Sequence, residues 1–336
     1  MTENFLVIGC GSMGRRRIRH AQKHRAATVY GFDIREDRVR EVEEQLSVTP
    51  VESIDALDMS NFSGLFICVP PGSHEDYINI AISNGTPFMV EQPITHVLNN
   101  IKTLYSRVKD NGIICHVSCN QRFSPRVQAI KRVLNDGRIG KVLTGIVDLG
   151  EWLPDWHPYE PYTDYYPSKI SMGGGLDSIC DIDWLRYLFG DIQRAKHMSS
   201  KKSDLKIDTY DIVQQIFDFK DGPQIVLHTD MLQRPFMRRS LFSCSNGAII
   251  HNHPEHKLKV YIASDDKWFE EPFQGNLSAD SPMQGKPQHG FAEPMYEADS
   301  TAFFTRIDQV DKSLDSLENG LENLKICWPL VFGEDE

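Results

Sequence analysis

A chain of 336 residues exceeds what one hydrophobic core usually serves, so two domains are expected, and 40% apolar with 25% charged residues describes an ordinary globular composition. The 36 Lys and Arg stand against 47 Asp and Glu, a net charge of -11 that disfavours nucleic acid and anionic membranes as general partners, because both require a basic surface. No run of about 18 apolar residues occurs, and a strand begins directly after Met1-Thr2-Glu3-Asn4, so a cytoplasmic protein without a signal peptide is expected.

The apolar run Phe5-Leu6-Val7-Ile8 turns at Gly9-Cys10-Gly11-Ser12-Met13-Gly14 into a helix through Arg25, and a second strand ends at Asp33. This is the dinucleotide-binding fingerprint in its proper context. The first glycine permits the tight turn, the second lets the backbone approach a pyrophosphate, and the third lets helix and strand pack closely. Asp33 follows at the spacing needed for a ribose contact. Arg15, Arg16, Arg17 and Arg19 crowd the first helix, where they can serve solubility or neutralise phosphate. A charged helix from Glu36 to Gln45 and a short strand near Val48 come next. Leu65 to Val69 reads as a buried parallel strand ending at Pro70-Pro71-Gly72, and Ser73 caps the helix that follows. Strand Phe88-Met89-Val90, helix Val97 to Asp110 and strand Ile113 to Val117 complete an alternating pattern that predicts a doubly wound parallel sheet over residues 1–122.

Beyond this the pattern changes. Strands are predicted at Val142 to Leu149, Tyr210 to Phe219, Pro223 to Thr229, Arg239 to Ser243, Ala248 to His251 and Lys257 to Ile262, with turn signals between them, so residues 123–336 read as an α+β domain with an open, largely antiparallel sheet. Helices are expected from near Asp177 to Phe189, from Met295 to Ser313 and from Ser316 to Cys327, and residues 275 to 292 read as a loop. Seven scattered cysteines do not form a disulfide framework, and Cys115 and Cys119 lack zinc-knuckle spacing. His251, His253 and His256 read as surface residues of a hairpin, and no metal is expected.

In an open parallel sheet the ligand lies beyond the carboxyl ends of the strands. Those ends carry Gly9 to Gly14, Asp33, Cys68 to Pro71, Glu91 to Pro93 and Cys119 to Arg122. A carboxylate at Asp33 accepts ribose hydroxyls and opposes a 2′-phosphate, so NAD is expected rather than NADP.

Taken together, the stretches GCGSMGRRRIRHA, FICVPPGSHEDY, VEQPIT, CNQRFSP with GRIGKV, GGGLDSICDIDWLRYLFG, HTDMLQRP and MYEADSTAFFTRI make the chain similar to the glucose-fructose oxidoreductase, inositol dehydrogenase and rhizopine-catabolism (Gfo/Idh/MocA) family. DWHPYEPY and GGGLDS resemble the branch associated with surface-sugar biosynthesis. The resemblance implies hydride transfer between a nicotinamide and a sugar, sugar-nucleotide or polyol carbon, and a homodimer or homotetramer built on the C-terminal sheet. It assigns Ser12, Met13, Asp33, Val69, Pro70, His74, Glu91 and Asn120 to the cofactor, with Glu91 on the nicotinamide ribose, and it allows a cis bond before Pro93.

Two departures bear on the chemistry. The family's strand-end lysine is Gln92 here, and its helix histidine is Cys180. Gln92 hydrogen-bonds an oxygen but cannot accept a hydroxyl proton. On a continuous helix Asp177, Cys180, Asp181 and Trp184 share one face, so Asp177, Asp181 or a stabilised Cys180 thiolate is a candidate base; equally, Asp177 can cap the helix while Cys180 packs. Trp156, His157, Tyr162 and Tyr165, in an aromatic stretch from Trp152 to Tyr166, suit a pyranose face, and Arg122 is the remaining candidate for the substrate; packing of the loop is the alternative for each ring. The leading expectation is an NAD-dependent oxidoreductase of a small sugar-like substrate. Its rivals are a cofactor-retaining epimerase or eliminating enzyme, and a catalytically inactive NAD-binding regulatory protein.

Overall fold

The computed structural model describes residues 2–157, 160–253, 255–273 and 293–329. The chain forms two compact units, one of Met1–Cys119 with Tyr296–Leu324, the other of Asn120–Met295 with the chain from Lys325 onward.

In the first unit β1 (Asn4–Ile8), β2 (Thr28–Phe32), β3 (Thr49–Pro50), β4 (Gly64–Ile67), β5 (Phe88–Val90) and β6 (Cys115–Val117) form a parallel sheet in the order β3-β2-β1-β4-β5-β6. Helices α1 (Ser12–Arg25), α2 (Glu36–Leu46), α3 (His74–Asn84) and α4 (Ile101–Asn111) cover it. The order reverses between β1 and β4, which makes their carboxyl ends the switch point where such sheets take ligands. Phe5 to Ile8 and Leu65 to Ile67 are fully buried, which is why both strands read as unbroken apolar runs. The arginines of α1 do not all sit in water. Arg16 and Arg17 are buried, and Arg17 lies at the centre of the unit.

The later helices depart from the boundary expected at residue 122. α7 (Glu293–Asp308) and α8 (Asp315–Cys327) return to the first sheet for most of their length. Phe303 and Phe304 meet Phe66 edge-on at ring-centroid distances of 5.4 and 6.0 Å, and Phe304 meets Phe5 at 5.5 Å. On α8, Leu317, Leu321 and Leu324 are buried, and Ser316 Oγ accepts the Val117 N–H of β6 at 2.8 Å. α7 stops at Asp308, short of the expected Ser313; Val310 just beyond has φ +52°, which ordinary helix does not tolerate.

The second unit begins with α5 (Pro125–Asn135), whose start is set by Pro125 and by Ser124 Oγ accepting the Val127 N–H at 3.2 Å. Its sheet contains β7 (Val142–Gly150), β8 (Ile192–Ser200), β9 (Ile212–Phe219), β10 (Gln224–Asp230), β11 (Met237–Cys244), β12 (Gly247–Asn252), β13 (Lys257–Ile262) and β14 (Lys267–Pro272), ordered β14-β13-β12-β11-β7-β10-β9-β8. Every neighbouring pair is antiparallel except β7 with β10. Helix α6 (Ile179–Phe189) lies between β7 and β8 in the chain. Val147, Phe217, Ile225, Leu227, Phe242 and Ile249 fill the inner face, while Ile146, Ile216 and Leu241 are exposed on the other. The edge strands β8 and β14 have no sequence expectation behind them. Both are held by backbone pairing along one side, and β14 exposes nearly all its side chains, so neither carries an apolar alternation to read. The loop expected at 275 to 292 lies outside the described residues.

Phe303→Ala removes the ring that lies against Phe66, a change that costs about 3 to 5 kcal/mol at a fully buried site. Urea unfolding followed by near-UV circular dichroism should show the midpoint falling; an unchanged midpoint would contradict the packing of α7 on the first sheet.

Candidate functional site

The glycine turn between β1 and α1 is set by two close approaches. Gly9 has φ +93°, and a Cβ there would lie 2.5 Å from the Cys68 carbonyl oxygen; a Cβ on Gly14 would lie 1.8 Å from the Gly9 carbonyl oxygen. No side chain caps α1, and its first turn contains no acidic residue, so the N–H groups of Ser12 and Met13 and the positive end of the helix are left for an anion. Arg16 Nη1 donates to Ser12 Oγ at 2.7 Å and brings a cation to the same turn. Asp33 is pinned beside it, Oδ2 accepting the Cys10 N–H at 2.8 Å and Oδ1 the Arg35 N–H at 2.9 Å. Cys10 itself is an apolar filler, its thiol pushed up to about 12 by burial and by Asp33.

Two further loops end strands of this sheet. Val69 and Pro70 follow β4, and Glu91, Gln92 and Pro93 follow β5, with the Gln92-Pro93 bond cis. His74 is completely buried between the loops, Nε2 at 2.8 Å from Val69 O and Nδ1 at 2.9 Å from Pro93 O. Burial pulls its pKa down to about 4 against the effect of both carbonyls. Gln92 Nε2 donates to Cys119 Sγ at 3.0 Å, and its Oε1 is buried without a partner among the described residues.

Glu91 is held from below by Arg17. Arg17 Nε and Nη2 donate to Glu91 Oε1 at 2.9 and 2.7 Å; Nη2 also reaches Ser118 Oγ and Asp299 Oδ2 of α7, and Nη1 reaches Ser300 Oγ and the Tyr296 carbonyl. Asp299 completes the set by accepting from His116 Nε2 at 2.9 Å and Ser118 Oγ at 2.8 Å. Burial alone would raise the Asp299 pKa, but the Arg17 charge and these bonds outweigh it and hold the carboxyl well below the usual range. Sequence reading missed this network, because Asp299 and Ser300 are nearly 300 residues from Arg17 in the chain.

In the second unit Asp177 lies just before α6 and does not cap it; the N-cap is Ser178, without a side-chain bond. Asp177 Oδ1 accepts from the Tyr166 hydroxyl at 2.7 Å, and Oδ2 is buried without a partner among the described residues. Burial raises the Asp177 pKa despite the Tyr166 hydrogen bond, and burial together with the Asp177 charge pushes Tyr166 well above its ordinary value. Because α6 starts at Ile179, Asp177 is not on the helical face with Cys180 and Asp181. Asp181 is buried and accepts from Trp184 Nε1 at 2.7 Å, while Cys180 is half-buried. Asn120 and Arg122 fall in the short turn Asn120–Phe123, and Arg122 makes a two-pronged contact to Asp183 at 2.7 and 2.8 Å. Trp156, Tyr162 and Tyr165 pack against Leu153, Leu205 and Met231; His157 meets the Tyr165 ring edge-on at 4.4 Å. Trp156 Nε1 donates to Glu151 O, and the Tyr162 hydroxyl accepts the Lys206 N–H. His251 does not lie on the surface. Inward alternation along β12 buries it.

The parallel sheet, glycine turn and acid-ended second strand define a dinucleotide-binding oxidoreductase fold, joined to an α+β unit. Residues 3–119 match the model of the oxidoreductase family with the NAD-binding Rossmann fold, and residues 127–250 match the GFO/IDH/MocA C-terminal domain. The chain belongs to the Gfo/Idh/MocA oxidoreductase family. It is similar to inositol 2-dehydrogenase of Rhizobium meliloti, 25% identical over 66% of this chain and 67% of that protein, and to levoglucosan dehydrogenase of Pseudarthrobacter phenanthrenivorans, 30% identical over 37% of this chain and 32% of that one. The chain thus spans between about a third and two thirds of these relatives. An oxidoreductase from Agrobacterium radiobacter, solved with NAD+, L-tartaric acid and magnesium, shares the fold at a TM-score of 0.81 and 17% identity, covering 97% of this chain and 94% of that one. The uncapped start of α1, the Gly9 approach and the pinned Asp33 fit NAD.

Arg17→Met leaves Glu91 and Asp299 without their shared cation, and breaking a buried pair in this way costs about 3 to 5 kcal/mol. Because Asp299 titrates below its unfolded value, its contribution is present at neutral pH and is lost as pH falls from about 4. Urea titrations at pH 7 and pH 3 should therefore show a smaller gap between wild type and Asp299→Asn at the lower pH. A gap that does not change would contradict the network.

Proposed function

We propose that the protein is an NAD-dependent dehydrogenase or reductase of a sugar, sugar nucleotide or polyol, and that Asp177 is its acid/base residue. The observation that carries this reading is a half-buried aspartate with a raised pKa, one oxygen oriented by Tyr166 and the other, Oδ2, buried and lacking a partner among the described residues. When bound, NAD supplies the hydride acceptor. Gly9, Gly11 and Gly14 shape the turn, the N–H groups of Ser12 and Met13 hold the pyrophosphate, and Asp33 receives the adenosine ribose hydroxyls. Val69 and Pro70 wall the adenosine, Glu91 holds the nicotinamide ribose while Arg17 keeps its other oxygen, and Asn120 supports the nicotinamide end. His74 joins the Val69 and Pro93 loops from beneath. In the oxidation direction the substrate hydroxyl proton passes to Asp177 Oδ2 as the adjacent carbon loses hydride. Tyr166 keeps its own proton and stabilises the resulting orientation through Oδ1.

Asp177 is favoured among the acids because burial raises its pKa and its Oδ2 has no partner among the described residues, and over Gln92 because an amide accepts no proton. Cys180 adjoins the pair as a secondary candidate. Trp156, His157, Tyr162 and Tyr165 supply flat apolar faces of the kind a pyranose or cyclitol requires, and the names of the inositol and levoglucosan dehydrogenases agree with such a substrate. In this reading Arg122, held by Asp183, orients a substrate oxygen. A surface-sugar pathway accords with the same loop. We read the protein as cytoplasmic and homo-oligomeric, with exposed Ile146, Ile216 and Leu241 on the open sheet face as the contact.

One observation supports a second reading. Gln92 is bonded to Cys119, whose sulfur also receives Asn319 Nδ2 at 3.6 Å, so the strand-end position is occupied by a structural contact. That suits a protein that retains NAD for epimerisation or elimination, or one that binds it without turnover.

Absorbance at 340 nm with NAD and a panel of inositols, anhydrosugars and sugar nucleotides should reveal a substrate. Asp177→Asn should then lower kcat/KM by about 10²-fold or more. For oxidation the rate should fall as pH drops through the raised Asp177 pKa, and Tyr166→Phe should move that acid limb to higher pH, because the lost hydrogen bond favours the carboxylate. Wild-type rates in Asp177→Asn would sink the assignment.

A further inference from the structure

Beneath α5 the second unit brings together guanidinium and imidazole nitrogens that lack partners among the described residues. Inward alternation along β11 places Arg238, Ser240 and Phe242 on the face under the helix, and β12 places Ile249 and His251 there. Ser240 and His251 stand directly opposite each other in the ladder. Arg126, the second residue of α5, is only 5% exposed, with its guanidinium 4.7 Å from the Trp184 ring centroid. Its Nη1 donates to Ser240 Oγ at 3.3 Å, and its Nη2 is buried without a partner among the described residues. Arg238 donates from Nη1 to Gln121 Oε1 at 3.0 Å, yet its Nε is buried and unpartnered in the same way. His251 is 3% exposed, and its Nδ1 is a third such atom.

Burial and neighbouring charge bear on Arg126 and His251. Loss of solvent and the nearby Arg238 charge pull Arg126 down to about 9, with Asp181 opposing. Burial, then Arg126 and Arg238, pull His251 down to about 3. Asp181 is the carboxylate bearing on Arg126, and it offsets part of that charge while one of its oxygens accepts from Trp184 Nε1. Buried guanidinium groups are ordinarily paired, and a water molecule could complete their hydrogen bonds without offsetting their charge. A compact, acceptor-only ligand of negative charge answers both requirements.

We propose that Arg126, Arg238 and His251 form a binding site for a small oxyanion group, phosphate or sulfate, between α5 and the β11–β12 ladder. Its source is a free inorganic ion or the phosphoryl group of an organic phosphate. The site uses residues assigned no part in the hydride chemistry, so it stands or falls independently of the proposed activity.

The test is thermal unfolding of the full chain in MOPS at pH 7, with inorganic phosphate or sulfate titrated against sodium chloride at matched ionic strength. Wild type should gain about 4 °C at tenfold the half-saturating phosphate concentration, beyond the chloride control. Arg126→Met and the milder Arg238→Gln, the latter at a half-buried position, should each abolish that gain. No gain in wild type overturns the proposal. An equal gain in both variants also overturns it, because phosphate would then be binding elsewhere, for example at the glycine turn. Glucose 1-phosphate separates the sources: a variant-sensitive gain with it assigns the site to a phosphorylated ligand, whereas a gain with inorganic phosphate alone assigns it to a free ion, and either supports an oxyanion site.

Discussion

The buried Arg17 guanidinium is the interaction on which the first unit depends. It stands one turn into the helix that opens the glycine turn, and it bonds Glu91 at the end of β5, Ser118 beyond β6 and both Asp299 and Ser300 on α7. Glu91 Oε1, Ser118, Ser300, Asp299 and the Tyr296 carbonyl saturate its donors in a fork geometry that lysine could not reproduce. One cation thereby fixes the glycine turn, the strand end proposed to meet the nicotinamide ribose and the returning C-terminal helix. Removing it would disturb stability and cofactor geometry together.

Much of this fold was legible because the parallel strands are buried on both faces and the fingerprint occupies a short stretch of chain. Phe5 to Ile8, the Gly9 to Gly14 turn and Asp33 are where local pattern indicates. The return of α7 was not legible, since Phe303 and Phe304 interrupt a polar helix without marking which sheet they cover. Long-range polar partners escape for the same reason. Nothing local relates Arg17 to Asp299, or Arg126 to His251. Strands β8 and β14 escape differently, because edge pairing needs backbone and little apolar alternation.

The candidate chemistry was readable as a list of residue types but not as an arrangement. Asp177, Cys180 and Asp181 look interchangeable on an idealised helix; the later start of α6 separates Asp177, and a bond to Trp184 engages Asp181. Tyr166, absent from the residues singled out for chemistry, becomes relevant only because the loop preceding α6 brings its hydroxyl to Asp177. Its sequence signal was limited to membership of an aromatic stretch. Cys180 then ceases to imply lost activity by itself, since a carboxylate with a raised pKa precedes it closely in the chain.

The first unit is built to hold NAD, with Asp33 turned toward the glycine loop by the Cys10 N–H. Isothermal titration of the protein with NAD and with NADP tests this most directly. NAD should bind at least about tenfold more tightly, because a 2′-phosphate would be set against the Asp33 carboxylate. Equal or tighter binding of NADP, or no binding of either nucleotide, would contradict it.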